Sequence, residues 1–242
     1  MDIAFPRIEP AVAPVPFTYG SRRTLPVARI ELGGVPRGAA IVLCAAGALE
    51  RDAGEVMNGL AEKGYESVAV DLSPGTGAVS DRDLLGDVSV LMGLLGERGW
   101  SSEQVGLVGY GFGGRTALLA AAEFEVGAAV SVGAPLIRAT RPVKTPWLGL
   151  FGRQDPAAPP EAVACLRARL RDSPVHTEVV TYPGVARDFR FDAREAQAHA
   201  ASFDVWQRTV EWLELRVAPR LTAVAQKWQT HTASGAAGPS RV

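Results

Sequence analysis

The stretch "VGLVGYGFGGRTALLAAA", from Val105 to Ala122, holds the residues whose spacing has the most chemical meaning. It reads as a buried strand, a glycine-rich turn and an alanine-rich helix. A turn of this kind holds either a phosphate on the amides that open the helix, or a nucleophile at its apex. Gly109, Gly111 and Gly114 match the G-x-G-x-x-G of a dinucleotide loop, a weak signal taken alone. Gly109 and Gly113 also stand where G-x-S-x-G places its two glycines, which puts Gly111 at the nucleophile's position. A dinucleotide fold sets this turn after its first strand and wants an acid at the end of the next one. Here at least two parallel-type strands come earlier, and "VGAAVSVGAP" ends without an acid. The elbow reading is therefore preferred, with NAD or ATP binding as the lesser alternative. Glycine takes a strained apex conformation at little cost, but it has no side chain to attack with.

The elements that must position this turn follow from apolar patterning. "AAIVLCAAG" (39–47), "YESVAVDL" (65–72), "QVGLVGY" (104–110), "VGAAVSVG" (126–133), "TPWLGLFG" (145–152) and "VHTEVVTYPG" (175–184) read as strands. Helices are expected at 50–64, from Ser80 or Asp81 to Arg98, at 112–123, at 159–170 and at about 200–216. Strands alternating with helices predict an α/β fold, a mostly parallel sheet covered on both faces. "FTYGSRRTLPVARIEL" predicts a hairpin at the sheet edge. Residues 1–16, with Pro6, Pro10, Pro14 and Pro16, read as an extended arm. The main domain is then 17–216. Val217, Leu221, Val224 and Trp228 recur at helical spacing and predict a further helix over 217–228, packed on its own domain or offered to a protein partner or a second copy. Residues 229–242 read as a disordered tail.

Composition narrows the function classes. The 242 residues carry a net charge of −1 with no block of like charge, which argues against nucleic acid and anionic membrane as partners. Two cysteines and three scattered histidines make no metal spacing, and no cofactor is expected. The N-terminus lacks the pattern of a signal peptide, so a reducing cytoplasm is the default expectation. With 22 Arg against 3 Lys, the composition suggests a GC-rich bacterial genome.

Over roughly residues 17–216 the chain resembles the dienelactone hydrolase family of α/β-hydrolase-fold proteins. That family's elbow reads approximately G-x-C-x-G-G, and here "GYGFGG" puts Gly111 in the place of the nucleophilic cysteine. The family's acid lies in a G-x-x-D-P-x-x-P-P-like segment, and "GRQDPAAPPEAV" places it at Asp155. Its histidine follows a Y-P-G-x-x-H-x-F-like segment, and "YPGVARDF" puts Arg187 there, or Asp188 if the match slips by one. The "HE" of many members is replaced by "CAAG" (44–47), and "DVWQRTVEWL" also matches. The resemblance thus implies an intact scaffold on which only Asp155 of the three triad positions survives. Glycine cannot attack, and arginine stays protonated and cannot serve as a base.

A non-hydrolytic member is therefore expected: a pseudoenzyme that binds a small acidic ligand, or a subunit of an assembly. The alternative is an ester or lactone hydrolase, or another enzyme, using relocated residues. Ala46, Gly47, Tyr110, Phe112 and Gly113 are the expected ligand-binding positions, and Asp155 and Arg187 are expected to form an ion pair. Relocated nucleophiles would come from Cys44, Ser73 or Ser131, and a relocated base from His199. His176 and His231 read as an edge residue and a tail residue.

Overall fold

The computed structural model describes residues 7–18, 22–73, 79–136, 141–186 and 200–221. Its strands are β1 (Ala11–Phe17), β2 (Arg23–Ile30), β3 (Gly38–Leu43), β4 (Tyr65–Val70), β5 (Val105–Tyr110), β6 (Ala128–Val132), β7 (Trp147–Gly152) and β8 (Thr177–Tyr182). The helices are α1 (Ala53–Glu62), α2 (Asp81–Glu97), α3 (Phe112–Glu123), α4 (Pro160–Leu170) and α5 (Ala200–Arg216). One eight-stranded sheet runs in the order β1-β2-β4-β3-β5-β6-β7-β8. The first two strands are antiparallel and the other six are parallel to one another. The α/β expectation holds, and the predicted elements sit within a few residues of their observed bounds.

The central strands are apolar along their whole length because both faces are covered. Every residue of β3, β4, β6 and β7 is buried. Val68, Leu107, Leu91 and Trp147 belong to one core layer, and Val42, Val130, Met57 and Leu213 to the other. Ser80 caps α2, its hydroxyl accepting from Asp83 N at 3.1 Å.

Two expectations need correction. The Pro-rich arm is not a free extended segment from residue 11 onward: Ala11–Phe17 is the edge strand of the sheet, and the hairpin starts there instead of at Phe17. Pro14 lies opposite Pro26, and two facing prolines have no N–H to exchange, so this is a non-hydrogen-bonded pair. Ahead of the strand, Asn58 holds both backbone groups of Ile8, at 2.7 and 2.9 Å. At the other end, the segment after α5 is not helical over residues 217–221. Pro219 disfavours helical backbone in the residue before it. The chain turns across the sheet instead, with Ala218 N donating to Glu103 O and Arg220 N to Arg37 O. The Arg220 guanidinium stacks 3.8 Å over Trp100 and donates to the carbonyls of Arg98 and Gly99. The remaining residues of the expected helix, 222–228, and the tail lie outside the described residues.

Glu66, at the same end of the sheet, is 3% exposed. Burial alone would raise its pKa, but it accepts from Arg98 twice, from Trp100 Nε1 and from Leu32 N, and these bonds hold the carboxyl below its ordinary range. A depressed folded-state pKa gives stability that is complete above the unfolded value, about 4.3, and is lost as pH falls through the folded value. Urea midpoints between pH 7 and pH 3 should therefore fall more steeply for the native chain than for Glu66→Gln.

Candidate functional site

The six parallel strands end at one edge of the sheet, and the crevice above such ends is where ligands bind in this class of fold. The central turn there leaves β5 and enters α3 within one residue. Gly111 is that residue, with φ 53° and ψ −118°, a backbone that L side chains rarely adopt. Its two glycine neighbours serve a different need. A Cβ on Gly109 would lie 2.2 Å from the carbonyl oxygen of Gly113, and one on Gly113 would lie 2.0 Å from that of Leu43. So α3 is pressed directly onto β5 and β3, and neither position admits a side chain. A Cβ on Gly114, the third glycine of the dinucleotide pattern, would keep 3.1 Å from its neighbours. The tightest constraints therefore fall on the pair at 109 and 113, the spacing of the elbow. At Gly111 the constraint is conformational, since among the described residues a Cβ there would meet only Ala45, at 3.4 Å.

Two of the amides that open α3 have no acceptor among the described residues. Gly111 N donates to Val132 O and Arg115 N to Gly111 O. The amides of Phe112 and Gly113 donate to no group among the described residues, as expected for a helix start, and they favour negative charge. Arg115 lies 5.9 Å from the Phe112 ring and is paired with Asp81 at the head of α2.

The remaining candidates are distributed around this turn. Asp155 is 2% exposed in the turn after β7, where its carboxylate accepts from Ala157 N at 2.9 Å. The turn is tied to the loop after β6 through Leu136 N and Ala157 O. Arg187 lies outside the described residues, as do Asp188, His199 and His231, and with Arg187 goes the expected ion pair. The chain up to Ala186 does run beside the Asp155 turn: Gln154 N donates to Val185 O, and a Cβ on Gly152 would lie 1.9 Å from Ala186 O. His176 is exposed at the start of β8, the opposite end of the sheet, stacked on Trp212. Ala46 and Gly47 are exposed at the crevice edge. The Gly47 amide, however, already donates to Asp71 Oδ2 at 2.6 Å, so it is not free for a ligand. Among the described residues, no group of three or more His, Cys, Asp or Glu could hold a metal ion, and no helix is long and apolar enough to cross a membrane.

Two of the three relocated nucleophiles are disabled by their surroundings. Ser131 is fully buried, donates to Gly114 O at 2.7 Å and accepts from Trp147 Nε1 at 2.9 Å. Cys44 is 3% exposed, and burial, then the charges of Asp71 and Asp52, push its thiol up to about 12. Its thiolate fraction at pH 8 is then about one in ten thousand. Iodoacetamide at pH 8 should accordingly label the exposed Cys165 and spare Cys44, as read by peptide mass mapping. Tyr110 packs beside Cys44, and its phenol is pushed well up by burial. Ser73 is the exception, with a buried hydroxyl that has no hydrogen-bond partner among the described residues.

The profile of the dienelactone hydrolase family matches residues 78–216, more than half of the chain and all of β5 to α5. The chain belongs to the dienelactone hydrolase family. Among similar proteins, one from Salmonella typhimurium named "putative carboxymethylenebutenolidase" is 32% identical over 161 residues, 61% of this chain and 60% of that protein. A protein of the same name from Escherichia coli K12 is 28% identical over 163 residues, 62% of this chain and 60% of that protein. The match thus spans about 60% of these relatives' own length. The fold is that of a "putative dienelactone hydrolase" from Klebsiella pneumoniae, with TM-score 0.68, 21% identity, and coverage of 86% of this chain and 99% of that one. It is likewise that of a propionate-bound esterase from Thermogutta terrifontis, with TM-score 0.67, 15% identity, and coverage of 90% and 97%. The α/β-hydrolase architecture expected from the sequence is therefore established for this dienelactone hydrolase family member.

Asp71 is the residue at this site that sequence reasoning passed over. Its signal was present in "VAVDL", an acid that ends an otherwise apolar strand at the crevice edge. Nothing in the string indicated which loop it would hold.

Proposed function

We propose that this chain is a non-hydrolytic dienelactone hydrolase family member whose crevice binds a small acidic ligand on the amides of Phe112 and Gly113. The observation that carries this reading is Gly111. It keeps the strained backbone of a nucleophile elbow but presents no nucleophile. Cys44 and Ser131 do not replace it, for the reasons given above. An acidic group lying over the helix start would gain these two amides without any covalent step. In this reading Arg187 occupies the place of the base and faces Asp155, so the old acid serves charge pairing in place of catalysis.

The names of the relatives favour a second reading, hydrolysis of a cyclic ester, and Ser73 is the residue it would need. Its hydroxyl, at the exit of β4, is the candidate left uncommitted. One assay separates the two. Turnover of short aryl esters and a dienelactone is measured for the native chain, for Ser73→Ala and for Gly111→Cys/Arg187→His. A silent native chain beside an active double variant is the expected result. Saturable native turnover abolished by Ser73→Ala would replace the first reading with the second.

A further inference from the structure

The loop that follows β3, residues 44–48, forms one wall of the apex, since among the described residues only Ala45 comes within 4 Å of a Cβ built on Gly111. Its own internal contacts are few. Ala48 N donates to Ala45 O, Gly47 turns at φ 67°, and the last ladder bond is Cys44 N to Val70 O. Beyond that bond, Ala48 O accepts from Asp52 N and Ala53 N at the head of α1, and the turn at Gly47 is held by a carboxylate. Asp71 Oδ2 accepts from Gly47 N at 2.6 Å, while its Oδ1 accepts from Ser73 N at 2.8 Å. Each oxygen thus fixes a different crevice loop. On its far side the second loop is held by Arg23, which donates to the carbonyls of Leu72 and Ser73.

From this geometry we infer that Asp71 is a positioning residue for the apex: it sets the distance between the Ala45 wall and Gly111, and with it the width of the space a ligand enters. Both oxygens accept from amides, so the ionised carboxylate suits the role and an amide side chain does not. In Asp71→Asn an NH₂ group would face a backbone N–H at one of the two bonds. The loop would be released there, and Ala45 would no longer be held at its present distance from the apex. The charge of Asp71 also helps to raise the thiol of Cys44, the first residue of the same loop. The consequence for ligand width rests on the binding reading above; the effect on Ala45 and Gly111 does not.

The test compares backbone amide spectra of the native chain and Asp71→Asn, both confirmed folded by circular dichroism, first without ligand and then titrated with acetate. In the free variant the Gly47 amide should lose exchange protection, and the amides of Gly111 and Phe112 should shift although Asp71 bonds neither. Acetate should then perturb Phe112 and Gly113 about tenfold more weakly than in the native chain. Apex amides that keep their native shifts while Gly47 is released would overturn the inference. Native apex amides indifferent to acetate would sink the ligand reading alone, because the ligand-free shifts still decide the role of Asp71. If Asp71→Asn does not fold, Asp71→Glu, which keeps the charge and displaces it by one methylene, is read in the same way.

Discussion

Gly113→Ala should destabilise the chain by at least about 3 kcal/mol, the upper end of what overpacking costs, and in most preparations leave little folded protein. The added methyl would sit 2.0 Å from Leu43 O and 2.9 Å from Cys44 O. Both are main-chain oxygens of the central sheet and its exit loop, so no side-chain rotamer can relieve the contact. To admit the methyl, α3 would have to lift off β3, exposing Ala117, Ala120 and Ala121, which are fully buried. Gly93→Ala is the control. That glycine is exposed in the middle of α2 with nothing within 4 Å of a built Cβ, and alanine there should stabilise by about 0.5–1 kcal/mol. Opposite signs for the same chemical change, read from urea unfolding, would show that close approach and not composition fixes Gly113.

Arg23→Met should cost about 3 kcal/mol. The Arg23 guanidinium meets Asp87 at 3.1 Å, and the Asp87 side chain is wholly out of water. Methionine keeps the bulk of the stem but takes the cation away from a carboxylate that cannot turn to solvent. It also removes the donor to Leu72 O, at 3.0 Å. The double variant Arg23→Met/Asp87→Leu should recover much of the loss, because removing both charges also removes the cost of burying them. A cycle with no coupling energy would mean the pair contributes nothing beyond packing.

What the string made legible was what rests on local rules. Continuous apolar runs marked β3 to β7, Ser80 and Pro160 marked helix starts, and Gly109 and Gly113 marked the tight entry into α3. The losses came where distant backbone decides. Pro14 and Pro16 read as part of an extended arm because a single strand does not say that it lies at an edge, where a missing donor is harmless. The periodicity of Val217 and Leu221 is helical, yet Val217 is buried where Gly38, Gly106 and Gly127 leave room for it, and no spacing rule encodes that socket. Gly47 was counted as a ligand donor because its partner, Asp71, is 24 residues away. Cys44 ends a strand, where a small buried hydrophobe and a relocated nucleophile look alike in the string, and its burial decides for the first.

The edge prolines have a consequence for how the protein behaves at high concentration. Because Pro14 faces Pro26 in a non-hydrogen-bonded pair, the backbone groups of residues 12, 14 and 16 turn outward, and at two of these three positions no N–H exists. A strand from another chain would find acceptors along this border and almost no donors, so it could not zip onto it. The prolines thus blunt this border against templated pairing through covalent structure, a means that requires neither a covering helix nor a row of charges.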